Sequence, residues 1–129
     1  MADTHRYSHH VRRSLAHAAT LAAGFQHAYQ DTAHLLVGVM LAEGSLGATL
    51  MAEDVAVSIE VAGVHLKHLQ PRTDEQDNPV PRTQDFDTAL AHASDEAGWL
   101  GSHYIGTEHL LLGITRANHG NAIALLRLL

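Results

Sequence analysis

Apolar residues recur at three- and four-residue steps in two long stretches of the chain, which is the spacing of one face of an α-helix. The first stretch follows Ser8, a suitable N-cap, and its apolar positions are Val11, Leu15, Ala18, Ala19 and Ala22. The second follows Thr83 and carries Phe86, Leu90, Ala93 and Ala97 at the same spacing. We predict a helix in each stretch, with Gly24 closing the first in a left-handed conformation and Gly98 ending the second.

Shorter helical patterns follow each long helix. After Asp31 or Thr32, either of which caps a helix, come Leu35, Leu36, Val39 and Met40, and after Thr107 come Leu110, Leu111 and Ile114. A third helix follows in each half, from Leu46 to about Glu53 and from Asn121 to Leu129, and the first half has a fourth with Val55, Ile59, Ala62, Leu66 and Leu69. The predicted fold class is all-α, with about four plus three short helices and with Leu35, Leu36, Leu110 and Leu111 in the core.

The two halves of the chain are copies of one another. At an offset of 75 residues, thirteen positions are identical in a single register without a gap. The most specific match is the string Thr-x-His-Leu-Leu-x-Gly, which begins at Thr32 and again at Thr107. This duplication predicts two tandem repeats, residues 8–69 and 83–129, that form one pseudo-twofold helical bundle.

The segment from Gln70 to Arg82 separates the repeats. It holds all three prolines of the chain and an acidic cluster, which is typical of an exposed linker. The second repeat stops at Leu129, where its fourth helix would begin. We therefore expect that the final helix is missing, either naturally or by truncation.

Composition narrows the classes of function. The 129 residues suffice for one domain, and the absence of cysteine fits a reducing compartment, so we expect a cytoplasmic protein. No apolar run approaches the length of a membrane span. The net charge is -6 and the seven arginines and one lysine are scattered, so we expect neither a membrane nor a nucleic acid as partner.

The twelve histidines raise the question of metal binding. His65 and His68 form the best-spaced pair, and His5 with His9 and His10 forms a terminal group, but no His-Glu-x-x-His string is present. We expect no metal site. The paired placement of His34 with His109 and of His17 with His92 favours a structural role, in which each ring satisfies buried backbone groups.

Catalytic motifs are missing from the sequence. No Gly-x-Ser-x-Gly string occurs, and the only lysine, Lys67, is not preceded by glycine as a phosphate-binding loop requires. We therefore predict that the chain is not an enzyme, has no cofactor, and neither binds nor hydrolyses ATP.

The string Tyr-Ile-Gly-Thr-Glu-His-Leu-Leu-Leu-Gly, from Tyr104 to Gly113, resembles the Gly-Thr-Glu-His-hydrophobic-Leu-Leu-Gly signature of the Clp ATPase amino-terminal domain. Asp31 to Gly38 is a weaker first copy, and two repeats about 75 residues apart are the family's organisation. The resemblance covers nearly the whole chain and implies one domain over residues 1–129.

That resemblance implies a protein-binding module that recruits protein substrates or adaptors to the Clp ATPase and protease machinery, whose separate ATPase rings do the work. The chain is then either the front end of an unfoldase or a stand-alone accessory or decoy protein that captures the same ligands. A histidine-based metal protein or hydrolase is the distant alternative.

In some members of the family the two Gly-Thr-Glu-His copies bind phosphorylated arginine, a degradation tag. By resemblance, the second-repeat site consists of Glu108, which would pair with the guanidinium, together with Thr83 and Thr107. The first-repeat equivalents are Ser8, Thr32 and Ala33, and Ala33 departs from the motif because it lacks the acid. Since a carboxylate in the first turn of a helix is also favoured by the helix dipole, Glu108 has a structural explanation as well. We expect at most one intact site.

Overall fold

A computed structural model describes residues 6–117 and 119–129 of the chain. Seven helices lie within these residues: α1 (His9–Gly24), α2 (Thr32–Leu41), α3 (Leu46–Glu53), α4 (Ile59–His68), α5 (Gln84–Trp99), α6 (Thr107–Ala117) and α7 (Asn121–Leu128). In the described part of the chain the only extended pairings are two isolated bridges, Tyr7 with Ile105 and Gln30 with Arg82. The all-α prediction and the four-plus-three division are confirmed.

Hydroxyl side chains start four of the helices. The Oγ atoms of Ser8, Ser45 and Ser58 each accept a backbone N–H bond of 3.1 Å from the third residue of the helix that follows. Thr83 caps α5 in the same way. For α2 the two predicted caps resolve in favour of Asp31, whose carboxylate accepts a 2.8 Å bond from the backbone N–H of Ala33.

The ends of the two long helices differ from the prediction. Helix α1 runs through Gly24, and the left-handed residue lies two positions later at Gln26, with φ 54°. In the second repeat the equivalent residue is Gly101, with φ 72°. The prediction for Gly24 is wrong because the turn that ends each long helix extends further along the chain than expected. In this turn the N–H of His27 bonds the carbonyl of Ala22 at 3.0 Å.

Each repeat is built on a close helix crossing at glycine. Helix α1 packs on α2 and α5 packs on α6. A Cβ on Gly38 would collide with the carbonyl oxygen of Ser14 in α1, and a Cβ on Gly113 would collide with the equivalent carbonyl oxygen of Ala89 in α5. The glycines identical in the two repeats are therefore required by the backbone-to-backbone approach.

The segments that lead into α1 and α5 are exchanged between the repeats. The N–H of Ser8 bonds the carbonyl of Ile105 at 3.0 Å, and the N–H of Ile105 bonds the carbonyl of Arg6 at 2.8 Å. At the equivalent positions, 75 residues away, the N–H of Thr83 bonds the carbonyl of Gln30 at 2.9 Å and the N–H of Gln30 bonds the carbonyl of Pro81 at 2.7 Å. Each repeat thus pairs its leading segment with the turn between the first two helices of the other repeat, at Ile105 or at Gln30, and we call this turn the corner. This is the relation expected of a pseudo-twofold axis.

Two threonines join the repeats a second time. The Thr107 hydroxyl accepts a 2.8 Å bond from the N–H of Gly47 at the start of α3. The Thr32 hydroxyl accepts a 2.9 Å bond from the N–H of Ala122 at the start of α7. Both threonines are buried. The threonine of each Thr-x-His string therefore satisfies one N–H group at the start of the third helix of the opposite repeat, which has no partner within its own helix.

Helix α2 lies at the centre of the core. Leu35, Leu36 and Leu110 are buried as predicted, but Leu111 is only partly buried. The difference arises because α4 packs against α2, whereas among the described residues of the second repeat no fourth helix packs against α6. The next residue of α6, Leu112, is also exposed.

The connection from residue 70 to residue 82, called the strap below, is more ordered than a free linker. The Gln76 amide donates to the carbonyls of Ala22 and His27 at 3.0 and 2.8 Å. The Gln30 amide donates to the carbonyl of Val80 at 2.8 Å, and the Val80 side chain is buried. The prediction of an exposed connection therefore holds for most strap side chains but not for Val80 or for the backbone contacts.

Taken singly, none of the described helices is long and apolar enough to cross a membrane. Helices α2 and α3 reach that length and composition only as a pair, bent by 95°.

The glycine crossings generate the first prediction. Gly38→Ala and Gly113→Ala should each lower the free energy of unfolding by about 1–3 kcal/mol, because the added methyl group forces the two helix backbones apart. Gly63→Ala is the matched control, since Gly63 lies in α4 with nothing within 4 Å of its Cβ position. That change should raise stability by up to about 1 kcal/mol through helix propensity. Urea unfolding followed by circular dichroism measures all three, and equal effects at the three sites would contradict the crossing.

Candidate functional site

Two clefts lie at equivalent places in the two repeats. The Asp31 cleft, of about 620 Å³, is bounded by Tyr29, Asp31, Thr83, Asp85 and Asn121, and by the strap at Gln70 to Thr73. The Glu108 cleft, of about 280 Å³, is bounded by Ser8, His10, Leu46, Tyr104, Gly106, Thr107 and Glu108. An offset of 75 relates Ser8 to Thr83, His10 to Asp85, Tyr29 to Tyr104, Asp31 to Gly106 and Leu46 to Asn121. Each cleft is therefore formed by both repeats.

The structure corrects the expected grouping of the site residues. Glu108 and Thr107 share their cleft with Ser8, whereas Thr83 lines the cleft of Asp31. The grouping of Thr83 with Glu108 is wrong because the leading segments are exchanged, so each N-cap hydroxyl faces the corner of the opposite repeat. Thr32 and Ala33 are buried and lie outside the lining of the Asp31 cleft.

Glu108 stands in the first turn of α6, partly exposed in its cleft. Its carboxylate lies directly over Gly106, where a Cβ atom would collide with it, so glycine at this position makes room for the acid. Among the described residues the Glu108 carboxylate has no hydrogen-bond or ion-pair partner. It is therefore available to a ligand.

The other side of the Glu108 cleft is the amino-terminal end of α1. The first turn of α1 contains no acidic residue, and His10 lies 3.5 Å from the Arg13 guanidinium. Ser8 accepts the N–H of Val11 and keeps its own hydroxyl proton for a ligand. Free N–H groups, a hydroxyl and a nearby cation all favour an anion at this end of the cleft.

The Asp31 carboxylate, in contrast, is already occupied. Asp31 is only 5% exposed, and its Oδ2 accepts bonds of 2.7 Å from the Gln70 amide and 2.6 Å from the Asn121 amide. Burial raises the pKa of this carboxyl, but the contact with the His34 ring and the hydrogen bonds from the Asn121 and Gln70 amides outweigh burial and hold the pKa at about 2. Together with the Ala33 N–H at Oδ1, the Asp31 carboxylate therefore accepts three hydrogen bonds within the chain.

A chain of buried imidazoles runs from this corner to α4. The backbone N–H of Asp31 donates to Nδ1 of His34 at 3.0 Å, His34 Nε2 lies 2.8 Å from His27 Nδ1, and His27 Nε2 lies 3.1 Å from the Lys67 carbonyl. The direction of these bonds requires both rings to be neutral and protonated on Nε2. Burial lowers the pKa of His27, against a smaller opposing effect of the Lys67 carbonyl.

The structural role predicted for the paired histidines holds for one pair. His109 accepts a 2.8 Å bond from the N–H of Gly106, as His34 does from Asp31. His17 and His92 do not satisfy buried backbone groups in the expected way, because each has a buried ring nitrogen without a hydrogen-bond partner. Within the described residues no three metal-ligating side chains converge, and His5 of the terminal group lies outside those residues.

Several site residues were not predicted from the sequence. The sequence predicts Asp31 only as a helix cap, and it predicts no cleft role for Gln70, Asn121 or His10. The signal that would find Asp31, Asn121 and His10 is the offset of 75 applied across the axis, because it pairs Asp31 with Gly106, Asn121 with Leu46 and His10 with Asp85.

Comparison with known proteins places this geometry in context. The family model of the Clp repeat (R) N-terminal domain matches residues 6–129. The ATP-dependent Clp protease ATP-binding subunit ClpC of Staphylococcus saprophyticus is 31% identical over 117 residues, which is 91% of this chain and 14% of that relative. The chain thus spans a small part of the curated relative it matches.

Two solved structures share the fold. The N-terminal domain of the caseinolytic-protease-associated chaperone ClpD from Arabidopsis thaliana superposes with a TM-score of 0.69 at 16% identity, covering 85% of this chain and 75% of that one. The N-terminal domain of the ClpV1 ATPase from E. coli superposes with a TM-score of 0.71 at 22% identity, covering 95% of this chain and 77% of that one. At these identities the likeness concerns the fold alone.

The occupied carboxylate generates the second prediction. Because the folded pKa of Asp31 is depressed from 3.8 to about 2, its stabilisation is present above pH 4 and is lost as the pH falls towards 2. Between pH 5 and pH 2 the wild-type protein should lose about 2 kcal/mol more of its unfolding free energy than Asp31→Asn. Urea unfolding at both pH values tests this, and parallel pH profiles for the two proteins would refute it.

Proposed function

The chain belongs to the Clp repeat N-terminal domain family, and on that premise we propose that it is a protein-binding module that recruits protein substrates or adaptors to a Clp unfoldase or protease in the cytoplasm. In this proposal the chain contributes recognition and no catalysis. The observation that carries it is the Glu108 cleft, which places a carboxylate without a partner opposite the start of a helix.

We further propose that this cleft reads phosphorylated arginine. The guanidinium part of such a side chain carries N–H donors that fit the Glu108 carboxylate. Its phosphate would lie at the start of α1, near Ser8 and His10, where the helix dipole and the free N–H groups favour an anion. Tyr104 and Leu46, which are 62% and 52% exposed, offer apolar surface at the rim to the aliphatic part of the side chain.

The Asp31 cleft is less suited to the same ligand. The Asp31 carboxylate already accepts two amide bonds. The first turn of α5 carries Asp85 and Asp87, and Asp85 lines the cleft at the position of His10 in the other one. Because these acids lie at the helix start, where the phosphate of the ligand would lie, we expect one phosphoarginine site per chain, although Arg72 of the strap also lines this cleft.

Titration with phosphoarginine by calorimetry tests this function and is the third prediction. The wild-type protein should bind one equivalent, and Glu108→Gln should weaken binding roughly 10- to 150-fold, because the guanidinium loses its charged partner. Glu60→Gln is the matched control, since Glu60 also lies in the first turn of a helix but outside the cleft. It should leave the affinity unchanged.

Two results would refute the phosphoarginine site. One is equal affinity in wild type and Glu108→Gln, and the other is no saturable binding at millimolar ligand. Two-dimensional NMR adds the location, because shifts should concentrate on the N–H groups of Val11, Gly106 and Glu108.

A further inference from the structure

The acid of the motif has moved by two positions between the repeats. In the second repeat, position 106 is glycine and position 108 is glutamate, whereas the equivalent positions of the first repeat are Asp31 and Ala33. The Glu108 carboxylate folds back over the Cβ position of residue 106, with Oε2 at 3.1 Å, which is the position from which the Asp31 side chain starts. Both clefts therefore contain a carboxylate at the same place, although they take it from different residues.

What distinguishes the two carboxylates is their occupancy. Oδ2 of Asp31 accepts one N–H from Gln70 and one from Asn121, at 2.7 and 2.6 Å. A guanidinium binds a carboxylate with paired N–H donors of the same kind. In the Glu108 cleft the position of Asn121 is held by Leu46, which has no donor. The two amides thus act as an internal substitute for a guanidinium.

We propose that the Asp31 cleft is a second recognition site, for an unphosphorylated arginine side chain of a partner protein, which the chain keeps closed with the amides of Gln70 and Asn121. The inference rests on the proposed function, because the role of the Asp31 carboxylate is assigned by its equivalence to Glu108. The ligand carries no phosphate at the helix start, since Asp85 lies there, where the other cleft has His10, although Arg72 of the strap also lines the Asp31 cleft.

The surroundings of Asp31 fit this ligand. The cleft, at about 620 Å³, is more than twice the size of the Glu108 cleft, at about 280 Å³. Tyr29 is 52% exposed at its edge and offers a ring on which a guanidinium plane stacks. Asp85 supplies a second negative charge in the lining, with Nδ1 of His119 3.9 Å from its Oδ2, and Arg72 of the strap is a cation in the same lining.

Gln70 is the contribution of the strap to the closure. It lies at the start of the strap, and its amide also donates to the carbonyl of Tyr29 at 3.0 Å. An arginine that reaches Asp31 must displace this amide, so binding to the resting protein is weak. Removal of the amide removes the competitor, and the gain expected for one hydrogen bond to a charged group is at least tenfold in affinity.

The experiment uses arginine amide as the probe. All variants are made in the Glu108→Gln chain, so that the probe finds no carboxylate at residue 108 in the other cleft. Binding is followed by the NMR shift of the Ala33 N–H, which bonds Oδ1 of Asp31. Glu108→Gln with Gln70→Ala should bind the probe at least tenfold more tightly than Glu108→Gln alone. It should also bind arginine amide at least tenfold more tightly than phosphoarginine.

Gln76→Ala is the matched control, because Gln76 is a strap amide that bonds the carbonyls of Ala22 and His27 and leaves Asp31 untouched. It should produce no gain. Asn121→Leu, which introduces the residue of the other cleft, is the second opening variant and should give a gain of the same sign; circular dichroism confirms that each variant is folded. Addition of Asp31→Asn to an opened chain should abolish the binding.

The proposal is overturned if Gln70→Ala and Asn121→Leu both bind the probe no better than Gln76→Ala, or if binding persists in Asp31→Asn. These outcomes are independent of the phosphoarginine test of the proposed function, which uses a chain with native Glu108 and Gln70. A phosphoarginine site at Glu108 with no arginine site at Asp31 would leave the proposed function intact and remove this inference alone.

Discussion

Neither repeat can satisfy its own backbone, and the rest of the structure depends on this constraint. The leading segment before α1 finds its hydrogen-bond partners at Ile105, and the segment before α5 finds them at Gln30. The buried threonines of α2 and α6 then accept the N–H groups at the start of α7 and α3. Because unpaired backbone groups in a core are costly, these reciprocal bonds fix how the two halves lie against each other. The clefts are the openings left between a leading segment and the corner that it joins.

Within this shared frame the two clefts have diverged in charge and in access. One presents a carboxylate without a partner among the described residues, beside a helix start free of acids, and the other presents a carboxylate that accepts two amide bonds and has a depressed pKa, with a further acid at the helix start. The change needs few residues, since Asp31, Ala33, Gln70, Asp85 and Asn121 account for it. None of these five positions disturbs the glycine crossings or the threonine bonds. The chemistry of a cleft therefore changes independently of the architecture that forms it.

The fold could be read from the sequence because its determinants are local. Ser8 and Thr83 are recognisable N-caps of α1 and α5, and the apolar spacing identifies α1, α2, α5 and α6. The site could not, because its geometry depends on which segments meet across the axis. Pairing Thr83 with Glu108 follows the order of the chain, whereas the exchange of leading segments brings Ser8 to Glu108 instead. The predictions for Leu111 and Gly24 failed for related reasons. The burial of a helix face depends on a neighbouring helix, and the position of the left-handed residue depends on the length of the turn that ends the helix.

The exchanged leading segments have the geometry of an isologous contact, in which residue i of one half meets residue j of the other and j meets i. Two separate copies of a single repeat would meet in the same way as a symmetric homodimer. In such a dimer every substitution would appear in both binding sites at once, so the sites would stay identical. The strap joins the halves covalently and removes that coupling. A gene that encodes both halves in one chain can keep one site for a ligand while the other acquires a different specificity, and this freedom is available only after the fusion.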